Sequence, residues 1–227
     1  NNKDQIEQML SEINSMESLF IADGHHRSAA AARVKEKFSK KNLNHDGNEN
    51  YNYFLAVAFP HSEMTILDYN RIIKGLNGQT INSLISSIEK NYSVKKHSEE
   101  FKPATKNTFG MYIDKNWYEL NAIKENINLN DPVKSLDVSI LHDTIIEPLL
   151  GIYDERTDPR IDFVGGARGL IELENRVNND NFDIAFALFP TPIEALIDVA
   201  EANKVMPPKS TWFEPKLLDG LLSHLIN

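Results

Sequence analysis

Apolar residues at Ile6, Met9, Leu10 and Ile13 keep the i, i+3, i+4, i+7 spacing of one helical face and predict a helix over residues 2–16. A short apolar run, Leu19–Ala22, predicts a strand. It ends in Asp23-Gly24, followed by His25-His26-Arg27-Ser28 and four alanines. Alanine is the strongest helix former, so a second helix is predicted from this turn to about Lys40. Residues 41–50 are polar and irregular and read as a loop. The aromatic and β-branched run Tyr51–Phe59 predicts a buried strand ended by Pro60. Met64–Ile73 is its expected hairpin partner.

Further on, Ile81, Leu84, Ile85 and Ile88 mark one face of a helix over Thr80–Lys90. Tyr92–His97 reads as a strand. Phe109–Ile113 and Trp117–Ile123 form a hairpin across Asp114-Lys115-Asn116. Leu136–Leu150 reads as an apolar helix carrying His142, Asp143 and Glu147, capped by Ser135 or Asp137 and stopped by Gly151. Arg160–Val164 and Phe182–Phe189 are strands, with Gly165–Gly169 turning the first into a helix through Leu170, Leu173 and Val177. Thr191-Pro192-Ile193-Glu194 has the form of a capping box. The chain closes with the expected strands Trp212–Lys216 and Leu221–Ile226. Hairpins interleaved with helices predict an α+β fold (mixed α/β) with a mixed sheet and flanking helices. The weakest internal boundary, near residues 98–108, divides the chain into parts 1–97 and 98–227.

Composition narrows the function classes. The 227 residues are 41% hydrophobic and 25% charged, enough to bury a core. A net charge of −9 argues against a non-specific nucleic-acid binder, so nucleic acid is not an expected partner. The absence of cysteine removes disulfides, thiolate metal sites and a cysteine nucleophile. Without an apolar run long enough for a bilayer, or an opening secretory signal, a cytoplasmic location with no membrane partner is expected. The chain opens inside a helical pattern without an initiator methionine, which reads as a fragment lacking its N-terminal part.

The Asp23–Ser28 turn concentrates the chemistry. A glycine corner at a helix start aims backbone N–H groups and the positive end of the helix dipole at one spot, an environment that favours phosphate. His25, His26 and Arg27 add donors there, and Asp23 adds a carboxylate. The plainer reading makes Asp23 a helix cap and the rest solvated polar groups. His142 and Asp143 read either as a locally bonded polar pair or as a substrate contact. Lys209-Ser210-Thr211-Trp212 with Lys216, in a proline-bounded loop, reads either as small-molecule contacts or as a plain connection.

Asp23-Gly24-His25-His26-Arg27 followed by a small-residue helix resembles the central motif of the free-serine kinases of the ParB/sulfiredoxin-like superfamily. Ile21–Arg27, Leu136–Asp143 with Glu147–Gly151, Phe186–Pro192 and Met206–Lys216 resemble the bacterial and archaeal family called domain of unknown function 1015. Members of that family extend further at the N-terminus, so this chain resembles its larger C-terminal part. The resemblance implies a ParB/sulfiredoxin-like element around the turn and a small-molecule kinase acting on free L-serine or a similar hydroxyl compound. The implied donor is ATP, ADP or pyrophosphate, with Mg²⁺. Carried over by position, Asp23 is the candidate base, with His26 as a second catalytic candidate. Gly24, His25, His26 and Arg27 become phosphate or nucleotide contacts, and Ser28 a further donor. His142, Lys209, Ser210, Thr211, Trp212 and Lys216 are candidate substrate or loop contacts. The superfamily also uses an acid placed before this motif. Glu7, Glu12 and Glu17 read as helix-surface charges, so that acid is expected upstream and the chain alone is expected to be inactive. Sulfiredoxin chemistry needs a cysteine and is excluded. The alternative is a ParB-like nucleotide-binding regulatory or interaction module without kinase activity.

Overall fold

The structure, a computed structural model, describes residues 2–128, 130–218 and 220–226. Contacts group it into two compact units, residues 1–59 with 217–227, and residues 60–216. The chain passes from one unit to the other between Phe59 and Pro60 and between Lys216 and Leu217, and strands on both sides of residue 97 belong to one sheet of the second unit.

The first unit holds helix α1 (Lys3–Ser15), helix α2 (His25–Ser39) and a 3₁₀ turn, Asn50–Asn52. Asn2 caps α1, its side chain accepting from the N–H of Asp4 and Gln5. The loop after α2 is closed by Glu49, whose carboxylate accepts from the N–H of Asp46 and Gly47 and from the Asn52 amide. No described residue of this unit is buried. The strand expected at Leu19–Ala22 does not form. Tyr51–Phe59 forms no strand beyond its 3₁₀ turn and pairs with no strand among the described residues, and Phe54 is 55% exposed. A strand needs a neighbouring backbone, which its own sequence does not supply. The described residues of Leu221–Ile226 likewise form no strand.

The second unit is an α+β layer structure. Strands β1 (Thr65–Leu67) and β2 (Tyr69–Ile73) follow each other directly. Helix α3 (Ile81–Ile88) and strand β3 (Tyr92–His97) come next, then β4 (Thr108–Ile113) and β5 (Asn116–Ala122). A long helical stretch runs as α4 (Asp137–Leu141), a π segment (His142–Ile146) and α5 (Glu147–Leu150). Strand β6 (Ile161–Gly165), helix α6 (Leu170–Asn179), strand β7 (Ile184–Leu188), helix α7 (Ile193–Glu201) and strand β8 (Trp212–Glu214) complete it.

Six strands pair in the order β3-β5-β4-β7-β2-β6, antiparallel at each junction. The predicted hairpin is β4–β5. Asp114 and Lys115 at its tip both take positive φ, 48° and 59°, as a tight two-residue hairpin turn requires. The hairpin expected between Tyr51–Phe59 and Met64–Ile73 is replaced. β1 pairs with β8, Ile66 opposite Phe213, while β2 lies between β6 and β7.

Alternation along the strands builds two cores. Ile73, Met111 and Phe186 face α3, the α4–α5 stretch and α7, with Leu84, Ile145 and Val199. Their neighbours Ile72, Tyr112 and Ala185 face α6, with Leu170 and Leu173. With both faces covered, every residue of β4 and of β7 is buried. The capping box expected at Thr191 is absent. Helix α7 starts at Ile193, after Pro192, and the Thr191 hydroxyl donates to the Ser210 carbonyl at 3.0 Å. Asp137 does not cap α4 either. Its Oδ1 accepts the Asn107 N–H at 3.0 Å, and the other oxygen is buried with no hydrogen-bond partner among the described residues.

Candidate functional site

The Asp23–Ser28 turn forms as a glycine corner at the start of α2. Gly24 has φ +88°, a left-handed conformation that its missing side chain makes accessible. Asp23 Oδ1 accepts the Gly24 N–H at 2.7 Å, which folds the carboxylate onto the turn. The N-cap residue of α2 is Gly24 itself, which has no side chain to cap the helix. Asp23, His25, His26 and Arg27 are all exposed. The Arg27 side chain lies back over the turn. A Cβ added at Gly24 would stand 3.8 Å from Arg27 Nε. Ser28 turns the other way: its hydroxyl donates to the Gly24 carbonyl at 3.2 Å, within the helix. The turn thus presents one carboxylate, one guanidinium, two imidazoles and a helix start together.

The remaining candidate residues belong to the second unit, and there the structure joins two of them that the sequence keeps apart. His142 Nδ1 donates to Glu155 Oε1 at 3.1 Å. Glu155 Oε2 lies 3.5 Å from Nη2 of Arg71, whose side chain is fully buried. Arg71 Nη1 donates to the Lys209 carbonyl at 3.1 Å and also to the Tyr69 carbonyl. His142 and the Lys209 loop are therefore linked through Glu155 and Arg71. Burial pushes the Arg71 guanidinium down from its ordinary value, while Glu155 opposes that shift. The hydrogen bond to Glu155 raises His142, against the opposing effect of burial.

The Lys209–Lys216 segment packs through rings and cations. Trp212 stands edge-on to Tyr69 with centroids 5.5 Å apart, and its Nε1 donates to Glu214. Lys209 Nζ lies 5.3 Å from the Tyr69 ring centre, and Lys216 Nζ lies 5.2 Å from that of Trp212. Ser210 is buried and its hydroxyl donates to the Pro207 carbonyl at 2.6 Å, so it holds the loop's own backbone. Thr211 is half-buried beside it. Asp23–Ser28 and these residues lie in different units.

Sequence reasoning passes over Arg71 and Glu155, 84 positions apart. The available signal is the polar set Asp68, Asn70 and Arg71 running directly into the apolar end of β2, Ile72-Ile73. Asp68, Asn70 and Arg71 are all buried. Asn70 donates to Asp68 Oδ2 and accepts the Leu188 N–H, which ties β2 to β7.

The family model agrees with the resemblance to the domain of unknown function 1015. The chain belongs to the DUF1015 family, described as proteins of unknown function, whose sequence model matches residues 1–139. No curated protein matches it. Among solved structures it is similar to a mutant free serine kinase in complex with AMP. Identity there is 14%, covering 88% of this chain and 69% of that one, with a TM-score of 0.45. A mutant free serine kinase in complex with ADP is 17% identical over 85% of this chain and 66% of that one, with a TM-score of 0.41. A conserved hypothetical protein from Pyrococcus furiosus is 14% identical over 93% and 81%, with a TM-score of 0.42. No helix among the described residues is long and apolar enough to cross a membrane.

Proposed function

We propose that the Asp23–Arg27 turn is the phosphate-handling part of a small-molecule kinase that phosphorylates free L-serine or a similar hydroxyl compound. The observation that carries this reading is the left-handed Gly24 corner. It sets the Asp23 carboxylate beside the start of α2, with Arg27 folded over it. Phosphoryl transfer asks mainly for positioning and charge neutralisation. The helix start and Arg27 hold the donor's phosphate oxygens, with His25 and His26 as flanking donors. Asp23 orients the acceptor hydroxyl and takes its proton as the new P–O bond forms and the donor's bridging P–O bond breaks, releasing the shortened nucleotide or phosphate. The donor is ATP, ADP or pyrophosphate.

Mg²⁺ fits this donor set. That ion keeps several waters and takes one or two carboxylates together with substrate phosphates, and Asp23 is the carboxylate of the turn. When bound, it neutralises charge on the phosphate oxygens. The resemblance places a further acid before the motif, and Glu7 and Glu12 lie on the exposed surface of α1.

The test is a mass assay of phosphoserine formation by the full-length protein, with serine and a panel of ATP, ADP and pyrophosphate. Turnover that Asp23→Asn abolishes while the melting temperature holds supports the reading. No product with any donor, at enzyme levels that turn over a control kinase, overturns it. Nucleotide binding without serine-dependent turnover would mark the regulatory module instead.

A further inference from the structure

The α4–α5 stretch changes helical pitch at one place, and that change gathers three metal-type side chains. In an α-helix, residues five apart point about 140° from each other. Between Leu141 and Glu147 the backbone widens into a π segment, and the Glu147 N–H donates to the His142 carbonyl. This i→i+5 bond stacks Glu147 over His142, and such single-turn widenings recur at functional sites. His142 Nε2 consequently lies 3.4 Å from Glu147 Oε2. One ligand atom from each of His142, Asp143 and Glu147 falls within 4.8 Å of the others.

We propose that His142, Asp143 and Glu147 bind a divalent first-row transition-metal ion, Zn²⁺ or Mn²⁺, with its remaining positions open to solvent. Two ligand atoms about 2.1 Å from one tetrahedral ion stand about 3.4 Å apart, the separation already held between His142 and Glu147. The imidazole suits zinc, and the carboxylates suit zinc or manganese. An outer support is built in. Glu155, from outside the ligand set, accepts from Nδ1 of His142, which fixes the tautomer and leaves the Nε2 lone pair for a metal. Buried Arg71 in turn holds Glu155. Asp143 and Glu147 also line an open cleft of about 340 Å³ with Asn77, Pro148, Gly151 and Tyr153, roomy enough for metal-bound water or an anionic ligand.

The surrounding charge permits a cation. Lys134 Nζ takes one oxygen of Asp143 at 2.6 Å, which leaves Oδ1 as the ligand. Asp143, Glu147 and Glu155 face the two cations Lys134 and Arg71, so the cluster stays net negative with His142 neutral. Asp154, which also acts on His142, is paired with Arg156. The site stands within the second unit and is independent of the kinase reading.

The test is calorimetric titration of the 227-residue chain with Zn²⁺ and with Mn²⁺ alone. It is paired with NMR of the histidine ring nitrogens during the Zn²⁺ titration. One equivalent is expected to bind and to shift Nε2 of His142. His142→Ala and Glu147→Gln are expected to lose that binding, Glu155→Gln to weaken it roughly 10- to 100-fold, and a His25→Ala/His26→Ala double variant to retain it. Melting of the metal-free variants checks folding, and the exposed Glu147 is the safer of the two ligand substitutions. No binding at millimolar metal, an unmoved His142 resonance, or unchanged affinity in folded Glu147→Gln overturns the proposal.

Discussion

Nη2 of Arg71 lies 3.5 Å from Oε2 of Glu155, with the arginine side chain fully buried and the glutamate side chain 8% exposed. A charge pair taken this far out of water is costly to break from one side, because the survivor is left buried and uncompensated. Arg71→Met also strips the Tyr69 and Lys209 carbonyls of a donor. It is expected to cost about 3–5 kcal/mol in urea unfolding. Glu155→Leu alone should cost a similar amount. The double variant should cost clearly less than the two together, since it removes both charges. Additive losses would show that the pair is not the coupled unit described.

Asp137 predicts an unusual pH dependence. Burial raises its carboxyl from the ordinary 3.8 to about 6, opposed by the Asn107 N–H and by Lys106. An acid with a raised value holds its proton longer folded than unfolded, so stability falls as pH climbs from about 4 to about 6. The penalty is complete above that window and absent below it, and two pH units correspond to about 3 kcal/mol. Asp137→Asn keeps an oxygen for Asn107 and removes the charge. It should unfold at higher denaturant than the wild type at pH 7.5, with the difference gone by pH 4. A constant difference across that range would remove Asp137 as its source.

Gly165 sits against Trp212. A Cβ there would come within 2.5 Å of the indole, closer than such atoms approach. Gly165→Ala is therefore expected to destabilise by about 1–3 kcal/mol through overpacking. It should also displace β8 from β1, since Trp212 is the residue that pairs with Leu67. Tryptophan fluorescence reads the displacement directly, and an unshifted spectrum with unchanged stability would contradict the packing.

Gly24 tests the turn at α2. Its φ of +88° is strained for any residue with a Cβ, and Gly24→Ala should cost about 1–2 kcal/mol locally. Amide exchange of the first turn of α2 is the suitable measurement, because no described residue of this unit is buried and the effect stays local. Gly24→Asn should cost less than alanine. Equal protection in all three proteins would show that the corner relaxes without loss.

Where a segment's own pattern decides its structure, the sequence was readable. Ile81, Leu84, Ile85 and Ile88 give α3, and Leu84 and Ile88 are buried as their spacing requires. Asp114 and Lys115 give the β4–β5 turn. The apolar centre of β7 was legible because a strand covered on both faces is a continuous apolar run. The α+β class followed from those pieces. Tyr51–Phe59 has the same aromatic and β-branched character, yet pairing is a relation between two segments and this one has no partner among the described residues. The Thr191 capping signal was overridden by one tertiary bond to Ser210. In the candidate sites, the Asp23–Ser28 turn was legible because all its parts are contiguous. The Arg71–Glu155–His142 link was not, because it joins a strand, a loop and a helix. Nor was the approach of Glu147 to His142, since regular helical spacing would have turned them apart.

The widened turn at His142–Ile146 absorbs one extra residue, so this region is sensitive to chain length as well as to side-chain identity. Closed into ordinary α register at its present length, the stretch would turn every later residue by about 100°. Glu147 would swing off His142, and Leu149 and Leu150 would turn with it, one of them out of the core it now packs in. Removing one residue between Asp143 and Ile146 would instead leave Glu147 four positions from His142, still on its face. The insertion is thus held from two directions, by the charged cluster on one side and by the hydrophobic layer on the other. A further added residue, with no second widening to absorb it, would be felt as a change of phase along the rest of the helix.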